Sequence, residues 1–147
     1  MKKFPKDWGK TNKGVVVCFG GVFDLFHYNH LLALERAKSY GDYLVVNLSS
    51  DKQTRFKKGI ERPIIPQEER CSILRALRCV DEVVCFDTEE LDLGKVLDTV
   101  KPDILIANEG CDDYDLICKE KGVTVVKLPR ITIGKCTTEI INKIKTN

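Results

Sequence analysis

Only two histidines, one tryptophan and one methionine occur in this sequence, and no apolar run approaches the roughly 20 residues that would carry a helix across a bilayer. Membrane insertion is excluded on that ground. With 43% hydrophobic and 31% charged residues against 5 prolines, the composition is that of a folded globular chain and not of a disordered one. The seven cysteines include no Cys-x-x-Cys pair of the kind that builds a zinc knuckle or a redox motif, and a His-Glu-x-x-His metal helix is also missing. Scattered thiols in odd number, mostly beside apolar residues and without a signal peptide, predict reduced, mostly buried cysteines and a cytoplasmic location. Positive charge is scarce on the body of the chain: five lysines and Asp7 give residues 1–13 a charge of +4, which leaves −2 on the remainder. A nucleic-acid-binding domain carries its basic stripe on the folded part, so no nucleic-acid partner is expected. Residues 1–13 read as a solvated basic arm, and 14–147 as a single domain with no internal repeat.

What the chain does contain is an alternation of buried-strand and amphipathic-helix patterns. Val15–Phe19 is a β-branched run between glycines, as expected of a strand covered on both faces. A helical pattern over 30–39 with a stop at Gly41 follows, and then a second buried strand, Tyr43–Ser49. The rhythm continues with a helix from Pro66 to Leu77, a strand over 80–86, a helix over 93–100 and a strand over 103–107. A helix over 113–121, a strand over 123–128 and a closing helix over 138–145 complete it. Such alternation predicts an α/β fold with a doubly wound, mostly parallel, Rossmann-like sheet that binds its ligand at the carboxyl ends of the strands.

Both histidines lie at that position. His27 and His30 follow the first strand, and residues three apart face the same way on a helical turn, so both imidazoles can address one group beside the amides of the helix N-terminus. A phosphate suits that cradle. The alternatives are a capping or surface pair and a two-histidine metal site, for which the cysteines offer no closed four-ligand spacing. No protein-held metal is therefore expected. Gly20 and Gly21 allow the backbone to approach a phosphate or to take a positive φ.

The run Gly21-Val-Phe-Asp-Leu-Phe-His27-Tyr-Asn-His30 resembles the signature of the cytidylyltransferase-like branch of the His-x-Gly-His nucleotidyltransferases. Further blocks agree in order: Lys57-Lys58-Gly59, Arg62-Pro-Ile-Ile-Pro66, Glu68-Glu-Arg70 and Val80-Asp-Glu-Val83. They are similar to the bacterial heptose-phosphate nucleotidyltransferase domain and to archaeal flavin-nucleotide synthases. Leu128-Pro-Arg130 with Gly134-Lys-Cys-Thr137-Thr138 is similar to the family's closing Arg-x-x-Gly-x-Ser-Thr-Thr block, a layout shared with glycerol-phosphate cytidylyltransferases. The resemblance implies transfer of a nucleoside monophosphate from CTP or ATP to a small phosphate monoester, such as heptose-1-phosphate or glycerol-3-phosphate. Pyrophosphate is released, and Mg²⁺ is carried by the nucleotide. A phosphate monoester is already an anionic nucleophile near neutral pH, so positioning and charge neutralisation are the main tasks.

By the same resemblance His27, His30 and a mobile-loop Lys58 are catalytic, with Lys57 able to substitute for Lys58 and Arg55 a further charge in that loop. Gly20, Gly21, Val22, Phe23, Asn29, Arg70, Asn108, Arg130, Thr137 and Thr138 are expected around the nucleotide. Asp24 is expected to fix loop geometry and, with Arg62, to border the acceptor substrate. A homodimer is expected. Two departures from the family pattern bear on substrate choice. Asn29 stands where the motif has glycine, and Ala107–Asp115 rewrites the element that helps define the base site. Cys136 also replaces a serine of the closing block, losing a hydroxyl donor. A nucleotide-binding module of the same fold with weakened catalysis is the alternative.

Overall fold

The computed structural model describes residues 13–147; of the basic arm expected over 1–13, all but Lys13 lies outside the described residues. Among the described residues five strands and six helices follow one another, alternating except where α3 succeeds α2: β1 Val16–Gly21, α1 Tyr28–Lys38, β2 Tyr43–Ser49, α2 Asp51–Lys58, α3 Gln67–Ala76, β3 Glu82–Phe86, α4 Leu93–Val100, β4 Ile104–Asn108, α5 Asp115–Glu120, β5 Thr124–Leu128 and α6 Thr137–Lys145. A short 3-10 turn, Asp112–Tyr114, leads into α5. The strands form one sheet in the order β3-β2-β1-β4-β5, and all four pairings are parallel.

The sheet is covered on both faces, as the continuous apolar runs of β1 and β2 require. On one side Val17, Phe19, Leu44, Val46 and Leu48 pack against Leu34 and Ala37 of α1 and Leu74 of α3. On the other, Cys18 and Leu105 meet Val96 and Leu97 of α4 and Cys118 of α5. Leu34, Leu44, Leu48 and Leu74 are fully buried, and each contributes about 1.5–3 kcal/mol of transfer free energy relative to exposure. The doubly wound architecture is thus as expected.

Two expectations are corrected. The segment after β2, read as a loop, is the helix α2. It buries Gln53 and Thr54 instead of an apolar stripe, and its one large apolar residue, Phe56, is exposed. The cysteines are all free, but only Cys18 and Cys118 are buried; Cys85 and Cys136 are exposed and the others half-buried. Apolar sequence neighbours do not bury a thiol that falls at a strand end or on an outward helix face. No described helix is long and apolar enough to cross a membrane.

The order β3-β2-β1-β4-β5 places consecutive strands to one side of β1 and then returns β4 to its other side. The strand order therefore reverses between β1 and β4, and the crevice at their carboxyl ends is where open α/β sheets bind ligands.

Candidate active site

The loop after β1 is held in an unusual conformation by groups distant in sequence. Phe23 and Leu25 take φ of 52° and 48°, left-handed values that cost non-glycine residues on the order of 1–3 kcal/mol each. Asp24 lies between them and is 1% exposed. Its Oδ1 accepts from the Ile65 amide at 2.9 Å, and its Oδ2 accepts from the Ile64 amide at 2.8 Å and from Arg62 Nε at 3.2 Å. Burial alone would raise its pKa, but these donors outweigh it and hold the carboxyl below the ordinary aspartate value. The expected loop-fixing role fits this geometry. A direct role for Asp24 at the substrate does not, because the carboxylate is buried and already occupied.

Arg70, expected on a phosphate, is likewise committed within the fold. Its side chain is 1% exposed, and it donates to the carbonyls of Ile65 (2.8 Å), Val22 (2.6 Å) and Ser49 (2.9 Å) and to Asp51 Oδ1 (2.8 Å). It ties the ends of β1 and β2 to the starts of α2 and α3. Val22 accordingly serves through its carbonyl. Phe23, expected beside the nucleotide, is in the core at 5% exposure, packed edge-to-face with the His30 ring at a centroid separation of 5.3 Å. Neither Gly20 nor Gly21 takes a positive φ. Gly21 is needed because a Cβ there would meet the Phe23 ring at 2.8 Å, whereas Gly20 has ordinary room.

His27 is the N-cap of α1 and His30 lies in its first turn. Their rings stack with centroids 3.7 Å apart and planes inclined by 23°, and Phe26 flanks His30 at 5.5 Å. The His27 backbone N–H donates to His30 Nδ1 at 3.3 Å, so in the neutral ring the proton resides on Nε2 of His30. Thr137 donates its hydroxyl to the Asp24 carbonyl at 2.9 Å, so its oxygen must accept from His27 Nε2 at 3.2 Å. Both imidazoles are therefore arranged as neutral Nε2–H donors. Burial lowers the pKa of His27; burial, the His27 ring and the Lys58 charge push His30 down to about 4.

Positive charge collects beside this pair. Lys58 is the last residue of α2 and not part of a mobile loop. Partial desolvation and the charges of Arg62, Arg130 and Lys57 lower its pKa, with Asp24 opposing. The Lys58 charge reaches His30, and those of Arg62 and Arg130 reach Lys58; Arg62 is half-buried and paired with Asp24, whereas Lys58 and Arg130, like Arg55 and Lys57, are exposed. Arg36 of α1 donates to the Pro129 carbonyl at 2.7 Å, tethering the segment that carries Arg130.

The closing block completes the site from the far end of the chain. α6 begins at Thr137, with Cys136 as N-cap and the Glu139 carboxylate accepting from the Cys136 amide at 2.7 Å; neither threonine is the cap. Thr137 is half-buried against His27, Thr138 is exposed, and Asn108 is half-buried at the end of β4. Asn29 is 7% exposed; its Nδ2 donates to the Gly134 carbonyl and its Oδ1 accepts from the Gly134 amide, both at 2.8 Å. The sequence reading missed this pairing, and Thr137 as the partner of His27. The paired residues stand 105 and 110 positions apart, and no local pattern announces them.

Residues 18–143 match the family described as cytidylyltransferase-like. The chain is 41% identical over 140 residues to the bifunctional protein HldE of Geotalea uraniireducens and 43% identical over 137 residues to that of Campylobacter fetus. Each alignment covers 93% of this chain and 28% of the relative, so the chain spans a little over a quarter of these proteins. Among solved structures, the lipopolysaccharide core biosynthesis protein of Thermoplasma volcanium superposes with a TM-score of 0.71 at 30% identity, over 81% of this chain and 99% of that one. Pantothenate synthetase of Thermus thermophilus, at 16% identity and a TM-score of 0.54, covers 79% of this chain and 55% of its own and shares the fold.

Proposed function

The chain belongs to the cytidylyltransferase-like family, and from that membership we propose that it transfers a nucleoside monophosphate from CTP or ATP to a small phosphate monoester, with release of pyrophosphate. The observation that carries this reading is the stacked His27–His30 pair with two Nε2–H donors, tied to Thr137 at the start of α6 and bordered by Lys58, Arg62 and Arg130. Neutral donors and fixed cations suit a triphosphate whose α-phosphorus gains charge as the bond to the β-phosphate oxygen breaks. An oxygen of the acceptor phosphate forms the new bond to that phosphorus, and no strong base is required. His30 Nε2–H would donate to a phosphate oxygen, His27 would do so by exchanging Thr137 Oγ1 for a phosphate oxygen as the acceptor of its Nε2–H, and Lys58 and Arg130 would balance the departing pyrophosphate. Asn108 and Thr138 would border the nucleotide, and Arg62 the acceptor.

Similarity to HldE over nearly the whole chain and to a lipopolysaccharide core biosynthesis protein favours a sugar phosphate such as heptose-1-phosphate as acceptor. Magnesium would enter on the nucleotide, whose phosphate oxygens are the hard ligands it prefers. A homodimer in the cytoplasm completes the proposal. The second reading, a nucleotide-binding module with weakened turnover, draws on Asn29, whose side chain fills space that the family's motif glycine leaves open. The test is a matrix of CTP, ATP, GTP and UTP against a panel of phosphate monoesters, read by magnesium-dependent pyrophosphate release with His27→Ala as control. A signal in one nucleotide column that the control abolishes is expected. Triphosphate binding with no release in any well would select the second reading, and a wild-type signal from the control would overturn the histidine assignment.

A further inference from the structure

Asn29 is the residue of the histidine motif that departs from the family pattern, and its contacts give it a task. Its side-chain amide faces the backbone of Gly134 squarely, giving one hydrogen bond and accepting another, each of 2.8 Å. Such a two-bond pairing copies the way neighbouring strands join and fixes both distance and orientation of the segment it grips. The amide is buried, so the bonds are shielded from competing water. Gly134 lies between Arg130, which supplies charge to the site, and Thr137, whose hydroxyl holds His27 Nε2. The approach leaves little slack: a Cβ on Gly134 would meet Asn29 Oδ1 at 3.1 Å and Tyr28 Cδ1 at 3.6 Å.

We propose that Asn29 is a positioning residue, a latch that closes the segment from Arg130 to Thr137 onto the first turn of α1 before the nucleotide arrives. The latch presets the spacing between His27, Thr137 and Arg130. Without it, nucleotide binding must order that segment, and the cost falls on affinity more than on the chemical step. This inference rests on the proposed nucleotidyl transfer only for its kinetic readout; the latch itself is observable without turnover.

The experiment uses the full chain and two substitutions, Asn29→Gly, which removes both bonds, and Gly134→Ala, whose Cβ presses on Asn29 Oδ1 and displaces it by a few tenths of an ångström. Hydrogen exchange at the residue 134 amide is expected to accelerate about tenfold in Asn29→Gly, the worth of one hydrogen bond, with exchange at the core amides of Val17 and Leu105 unchanged. In Asn29→Gly KM for the triphosphate that the wild type uses rises about tenfold while kcat falls by less than twofold, and in Gly134→Ala KM rises by less than that. The double variant is no worse than Asn29→Gly alone, because with the amide gone the added methyl has no contact left to disturb. An unchanged rate of exchange at residue 134 overturns the latch, as does additivity in the double variant. A lower KM in Asn29→Gly also overturns it, since the side chain would then be an obstruction. If the wild type releases no pyrophosphate with any acceptor, the proposed function fails while exchange and calorimetric binding of Mg-ATP and Mg-CTP still judge the latch.

Discussion

At the scale of single residues, the histidine pair makes an acid-sensitive element. His30 titrates near 4 in the folded chain, against an ordinary histidine value of about 6.5 when unfolded. Between these values the unfolded chain binds a proton that the folded chain refuses, so stability falls as pH drops. The contribution of the neutral ring is intact above about pH 6.5 and lost progressively down to about pH 4. Because the chain holds two histidines, their ring protons give two resolvable titrations by NMR. We expect a midpoint near 4 for His30 and one below 6.5 for His27; a midpoint at or above 6.5 for either ring would contradict the buried, neutral arrangement. In urea unfolding, His30→Asn is expected to flatten the pH dependence between 6.5 and 4 relative to wild type. The positions of both histidines were legible in the sequence, since spacing and strand-end placement are local. The partner that sets the His27 tautomer was not, because Thr137, its hydroxyl donating to the Asp24 carbonyl, meets His27 only after the chain has folded back over 110 residues; the amide that sets the His30 tautomer is three residues away.

At the scale of elements, the site depends on Arg70 as a buried joint between two strand ends and two helix starts. Its guanidinium serves three carbonyls and Asp51 at once, a pattern that an ammonium cannot reproduce. Arg70→Ala is expected to cost about 3–5 kcal/mol, because Asp51 and the carbonyls lose a buried charge partner, and Arg70→Lys about 1.5–3 kcal/mol. Both are read from the urea midpoint. Were Arg70 a phosphate ligand, Arg70→Lys would leave that midpoint nearly unmoved and raise KM instead. An arginine after two glutamates at a helix start looks the same in sequence in either role. The strands and apolar helices were readable because β1, β2 and α4 carry strong patterns of burial. α2 was not, since it packs through Gln53 and Thr54; its usable signal was the reciprocal Ser50–Gln53 cap, in which the Gln53 amide donates to Ser50 Oγ and the Ser50 amide to Gln53 Oε1.

At the scale of the whole molecule, the site draws on both halves of the sheet. His27, His30, Lys58 and Arg62 come from the β1–β2–β3 side of the chain order, whereas Asn108, Arg130 and Thr137 come from β4 onward. The described ties between the motif loop or α1 and the closing block are the Asn29, Thr137 and Arg36 contacts. A triphosphate spanning the crevice as proposed would add contacts to both halves at once and so stabilise the folded molecule by mass action. At a hundred times its dissociation constant the gain is about 2.7 kcal/mol, which for a chain of this size raises Tm by roughly 5–10 °C. The expected result is a Tm that climbs with magnesium-triphosphate concentration for the productive base. Slowed amide exchange should appear at the carboxyl ends of both β2 and β4, and His27→Ala should remove most of the shift. A shift confined to one half of the sheet would mean that the nucleotide does not bridge the crevice, and the assignment of Arg130 and Thr137 to its binding would then fail.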